Sequence, residues 1–263
     1  MTTKTVPPAI RARRLVRAGD RAALATRLRA DCENAGDAAG APYASLVLTA
    51  CAHDATPLLL ISDLSEHARN IAADARVSLL FDGTAGRADP LTGARVTILG
   101  RAERIADDRD ERLMARFVAR HPGAALYAEF TDFALYRVVV SHVHIVAGFG
   151  AIDWLSGADV LYDAGGAEAL AAAEAEILTD MNERRRELVA RIAGARDDAE
   201  DGWVLTGIDP EGVDLRRGAA VIRREFTASA LGVPVRDAEA ARAALDALAR
   251  SVDTNTDPVP GAE

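Results

Sequence analysis

Cysteine is almost missing from this chain. Two residues, Cys32 and Cys51, form no CxxC pair, so neither a disulfide framework nor a zinc ribbon is available, and a reducing cytoplasm is the expected setting. No apolar run approaches the roughly 20 residues needed to cross a bilayer, and no hydrophobic leader opens the sequence. A membrane partner and secretion are therefore not expected. The signatures GxxxxGK[ST], HExxH and GxSxG are all absent, which leaves the common nucleotide, zinc-protease and serine-hydrolase sites without support. Gly148-Phe-Gly150 starts like a dinucleotide fingerprint, but Asp153 stands where the third glycine belongs and no helix follows.

Acidic residues outnumber basic ones, giving a formal charge of −9. The balance is uneven. Residues 1–30 hold eight Lys and Arg against Asp20 alone, a local charge of +7, so the rest of the chain sums to −16. That distribution argues against nucleic acid as a partner. The basic start is compatible with a solvated first helix, an anion-facing arm or an organellar transit peptide.

Pro7 and Pro8 introduce a helix over about Ala9–Ala18. Short β-prone runs follow: Ala23–Leu28, Tyr43–Ala50, Pro57–Ser62, Arg76–Phe81, Val96–Ile105, Phe133–Val140 and His142–Phe149. The intervals lack the helix between every two strands that a doubly wound sheet needs, so the spacing predicts a closed or nearly closed antiparallel barrel. Leu58-Leu59-Leu60-Ile61 is apolar on both faces, which calls for a helix or a second subunit over its outer side. Helices are expected from Ser65 to about Ala73 and after Asp107–Asp108, the latter turning Leu113, Met114, Phe117 and Val118 toward a core.

Beyond Trp154 the pattern changes. Residues 156–166 read as a linker. A long helix over Ala167–Ala193 follows, with Leu170, Ile177, Met181, Leu188 and Ile192 on one face. Three short strands (Trp203–Gly207, Gly212–Arg216, Ala220–Phe226) and a helix over Ala238–Ser251 complete the chain. The fold class expected is a mostly antiparallel split β-barrel with flanking helices in residues 1–160, then a small α+β domain in residues 165–252. Residues 253–263 read as a disordered tail.

The turn from Ser62 through Asp63-Leu64 into a helix capped by Ser65 offers unpaired N–H groups to an anion. Ser62, Ser65, His67 and Arg69 carry donors suited to a phosphate or carboxylate. His142 and His144, two apart on a strand, face one side and are candidate metal or haem-iron ligands. Trp154 can flank a bound ring, and Ser45 lies on the strand next to Pro57–Ser62.

The order strand, Ser-Asp-Leu-Ser-Glu-His helix, Asp74-Ala-Arg-Val-Ser-Leu-Leu-Phe81 resembles the flavin-binding split barrel of the pyridoxamine-phosphate oxidase superfamily. Ala12-Arg-Arg-Leu15, Pro42-Tyr-Ala-Ser-Leu46, Asp89-Pro-Leu-Thr-Gly-Ala-Arg-Val96, Ala119-Arg-His-Pro-Gly-Ala-Ala-Leu-Tyr127, Phe133-Ala-Leu-Tyr-Arg137 and Gly148-Phe-Gly-Ala-Ile-Asp-Trp154 narrow the resemblance to its haem-utilisation, HugZ-type branch. Together these segments span nearly all of residues 10–160. The resemblance implies a homodimer with cofactor sites at the barrel interface. It implies FMN held near Ser45, Ser62, Ser65, His67, Arg69 and Trp154 in an oxidoreductase, or haem in a haem-binding or haem-degrading protein. A barrel that serves as a non-catalytic binding module is the third reading.

Three departures from the family pattern stand out. Glu66 and His67 occupy positions where the oxidase branch places basic phosphate ligands. No histidine follows His144, although haem ligation in the branch often uses one near the C-terminus. In the second domain, where relatives carry Met-Asn, any residue, Asp, His, this chain reads Met181-Asn-Glu-Arg184-Arg185.

Overall fold

The computed structural model describes residues 6–32, 36–105, 111–148, 150–163, 165–195, 202–226 and 234–254. Asp107–Asp108, Phe149 and the tail from residue 255 lie outside them. The chain divides into two compact units, Met1–Tyr162 and Asp163–Glu263.

In the first unit, helix α1 (Pro8–Ala18) leads into β1 (Arg21–Arg27), β2 (Pro42–Leu48), β3 (Ala50–Cys51) and β4 (Pro57–Ser62). Helix α2 (Glu66–Ala73), β5 (Arg76–Gly83), β6 (Ala94–Arg104), α3 (Glu111–Arg120), β7 (Phe133–Val146), β8 (Ile152–Ser156) and the short α4 (Gly157–Val160) follow. All strand pairs are antiparallel, in the order β2-β1-β5-β6-β7-β4-β3, with β8 on the far side of β7. Because β2 pairs with β1 and β3 pairs with β4, the single stretch 42–51 joins the two edges of the sheet and curls it into a barrel. Thr49 forms the corner. Its N–H donates to the Asp20 carbonyl, its hydroxyl to that of Gly19, and its own carbonyl accepts from His121 Nε2 at 2.8 Å.

Strict alternation builds the core. In β5, Val77, Leu79 and Phe81 are buried while Arg76, Leu80 and Asp82 face outward. Leu24, Leu59, Ile98, Val143 and Ile145 meet them inside. Leu59 and Ile61 of β4 point into this core, and Leu58 on the other side packs with Phe117 of α3, Ala124 and Leu135. A helix of the same chain therefore covers β4, and no second subunit is needed there.

Three expectations change. Phe133–Val140 and His142–Phe149 are one strand, β7, whose extra residue at Ser141 forms a bulge, since Leu99 pairs with His142 and Gly100 with Val140. At Gly100 a Cβ would lie 2.3 Å from the Val139 carbonyl oxygen, so only glycine fits. The basic α1 is not simply solvated. Arg13 and Arg17 are buried and donate to the carbonyls of Val160 and His53, both at 2.7 Å. β8 (Ile152–Ser156), not among the expected strands, extends the sheet, and its last residue opens the stretch 156–166 expected as linker.

In the second unit, α5 (Glu168–Arg184), α6 (Arg186–Ala193) and α7 (Ala238–Thr254) share a core with the meander β9 (Val204–Asp209), β10 (Gly212–Arg217) and β11 (Ala220–Glu225). The single helix expected over Ala167–Ala193 breaks at Arg185, whose φ and ψ of −127° and 37° leave the helical region. Just before the break, Asn182 accepts from the Leu205 N–H at 2.7 Å and donates to its carbonyl at 2.9 Å, binding the helix end to β9 as a strand partner would. Asn182→Ala is expected to cost the unit about 1–3 kcal/mol by leaving these groups unpaired, as a fall in the urea midpoint would show.

Candidate functional site

The six expected cofactor residues separate into three places. Ser62, Ser65, His67 and Arg69 stay together at the β4–α2 turn, where the protein already uses most of their polar groups. Ser62 Oγ donates to Asp132 at 2.6 Å and accepts from the Leu64 N–H. Ser65 Oγ donates to the Ser62 carbonyl and caps α2 by accepting from Ala68 N–H. Glu66, in the first helical turn, pairs with Arg29. Burial lowers the pKa of His67, which disfavours the charged form of its ring at this turn. Arg69 is exposed. Ser45 sits elsewhere, on the inward side of β2 opposite Leu24, with its Oγ buried and without a partner among the described residues.

Trp154 belongs to a third place, the outer face of the barrel. His144 pairs with Trp154 across β7 and β8, and their rings stack with centroids 4.6 Å apart and planes 28° apart. The bulge at Ser141 resets the alternation so that Val143 and Ile145 point inward while His142 and His144 point outward. Register then aligns whole rows across the sheet. Leu46, Ala23, Leu80, Thr97, His144 and Trp154 form one row, and Ala44, Ala25, Ser78, Leu99, His142 and Ser156 the next. Much of this surface is apolar and open, with Leu46 at 70% and Trp154 at 64% exposed. Such a patch on an otherwise ordinary surface marks a binding face. Neither imidazole is hydrogen-bonded to another described residue, so each can present a nitrogen lone pair to a metal.

The chemistry of this face fits haem better than FMN. A porphyrin needs a broad apolar bed, an imidazole for iron and cations for its carboxylates, and the outer face has histidines set among small and apolar side chains. FMN needs a phosphate cradle, and the turn expected to supply one holds a paired carboxylate, a histidine whose charged form burial disfavours and hydroxyls already engaged. His142 and His144 were readable from their spacing. The stack on Trp154 and the apolar rows depend on strand register, which no local pattern reveals.

Comparison with known proteins agrees with the fold. A family model described as CREG, beta-barrel matches residues 5–162. A solved protein of unknown function from Agrobacterium tumefaciens is 32% identical, with a TM-score of 0.73 over 94% of this chain and 97% of that one. A heme binding protein from Mycobacterium smegmatis is 27% identical, with a TM-score of 0.53 over 95% of this chain and 100% of that one. The chloroplastic heme oxygenase HOZ of Arabidopsis thaliana is 31% identical over 109 residues, 41% of this chain and 33% of that protein, so the match spans about a third of that curated relative. Among the described residues no helix is long and apolar enough to cross a membrane. The resemblance to the split barrel and its haem-utilisation branch holds, and the chain belongs to the CREG beta-barrel family.

Proposed function

We propose that this protein binds haem on the outer face of its barrel, with His144 as the iron ligand. The observation that carries the reading is the stacked His144–Trp154 pair in a row that also holds Leu46, Ala23 and Leu80. The indole holds the imidazole in one orientation, which lowers the cost of ordering it for a metal. His142, on the same face one row away, is the second imidazole available. Bound haem would supply iron redox chemistry. The residues of this chain supply the bed, the ligand and the exclusion of water. The named activities of the Mycobacterium and Arabidopsis relatives lend the reading further support.

A convex sheet touches a flat ring over a limited area, so a second copy of the chain facing the same rows completes the site. Leu46, Leu48, Leu80 and Ile152 are the exposed apolar residues such a homodimer would cover. Cys32 and Cys51 are not joined in a disulfide, which suits a cytoplasmic setting.

Titration of the purified protein with hemin, and separately with FMN, tests this reading. A saturable shift of the Soret band is expected with hemin, and no quenching of flavin fluorescence with FMN. His144→Ala is expected to weaken hemin binding by about 10–100-fold. Tight FMN binding with no Soret shift would reverse the assignment in favour of the flavin protein. Neither signal would leave the non-catalytic module.

A further inference from the structure

Next to the two apolar rows the outer face changes character. Arg76 of β5 pairs with Arg101 of β6, and Arg101 with Val139 of β7. Arg27 ends β1 two residues past Ala25, the last residue of β1 paired with β5 (to Ser78), so continuing that register leads toward Arg76, and its guanidinium packs beside Gly40 of the β1–β2 connection. The charge of Arg27 acts on Asp74, whose carboxyl is held below its usual range first by hydrogen bonds from Arg76. Three arginines thus border the histidine-bearing rows on three adjacent strands.

Like charges on neighbouring strands oppose sheet formation. Elsewhere on the same strands the protein avoids the conflict by pairing, as Arg137 with Glu103 at 2.9 Å and Arg104 with Asp63 at 3.2 Å. Here a single carboxylate serves the row among the described residues: Asp74 binds Arg76 and also feels the charge of Arg27. Arg27 and Arg101 are exposed, and neither forms an ion pair with another described residue. Two strand spacings separate them, about 10 Å. A face meant only for solvent has no reason to keep this arrangement, whereas a ligand with two carboxylates on one edge neutralises it.

We propose that Arg27 and Arg101 form the carboxylate-binding edge of the site and select ligands that carry an anionic edge on a flat apolar body. The proposal rests on the haem reading and sets the direction in which the ring enters: propionates toward the arginine row, ring across Ala25, Ser78 and Leu99 toward His142 and His144. Guanidinium groups suit this task because each presents a planar fork to a carboxylate.

The test compares hemin with its dimethyl ester, which keeps the iron and the ring and loses both carboxylates. Wild type is expected to bind hemin at least tenfold more tightly than the ester, with an advantage that shrinks as salt rises. In an Arg27→Gln/Arg101→Gln variant with an unchanged circular dichroism spectrum, hemin should weaken about tenfold or more and the ester should bind as before. Equal hemin binding by the variant and wild type would overturn the carboxylate edge while leaving the haem reading in place. Failure of wild type to shift the Soret band of hemin would overturn both.

Discussion

Replacing Arg223 with Ala is expected to destabilise the second unit by about 3–5 kcal/mol. The guanidinium is 4% exposed and grips Asp209, itself 1% exposed, through two hydrogen bonds of 2.8 and 2.9 Å. Asp214 lies directly opposite on β10, and Glu225 is bound at 2.8 Å. Burial alone would lower the pKa of Arg223, but Asp209 and Asp214 outweigh it and hold the value well above normal. The charge therefore persists at every pH the fold survives. Truncation removes the guanidinium that the buried carboxylates Asp209 and Asp214 share, and that is the main cost. Urea denaturation checks the size of the effect. A loss below about 1 kcal/mol would show that water or neighbouring groups take over the role of Arg223. A double change, Arg223→Gln with Asp209→Asn, should cost less than the sum of the two single changes, because the partners depend on each other.

The second large effect concerns the outer face. The double variant His142→Ala/His144→Ala is expected to weaken hemin binding on the order of a hundredfold or more and to abolish the ligand-shifted Soret band. His142 is exposed and His144 half-buried, so neither supports the core, and surface changes of this kind usually alter stability by only about 0.5 kcal/mol. Loss of binding with an unchanged thermal midpoint would thus report on ligation. Retention of the shifted band in this variant would place the iron elsewhere.

Much of the fold is legible along the chain because a half-buried strand writes its two faces in alternation. β5 shows it most clearly, with Val77, Leu79 and Phe81 inside and Arg76 and Asp82 outside. The gap between the strands expected at Val140 and His142 has a physical counterpart, since Ser141 is the bulged residue at which the alternation changes phase. What depends on distant contacts is not legible. Thr49 looks like any strand residue, yet hydrogen bonds from far along the chain make it the corner that closes the barrel. Arg184-Arg185-Arg186 reads as good helix, and only the clamp between Asn182 and Leu205 accompanies the break there.

The site divides along the same line. The i, i+2 histidines follow from local geometry. That Trp154 stacks on His144, and that Arg76 pairs with Arg101 near the end of β1, follows from register across strands far apart in sequence. The β4–α2 turn has the reverse history. Its donors form a credible anion site on paper, and the folded chain spends them on Asp132, on its own cap and on the pairing of Glu66 with Arg29.

The central claim is a location: a haem ring against the His144–Trp154 stack. The chain has two tryptophans, and Trp203 lies in the second unit, so a Trp203→Phe variant emits from Trp154 alone. Added hemin is predicted to quench that emission in step with the Soret shift, saturating at the same concentration. A full Soret shift with Trp154 emission unchanged would contradict the account.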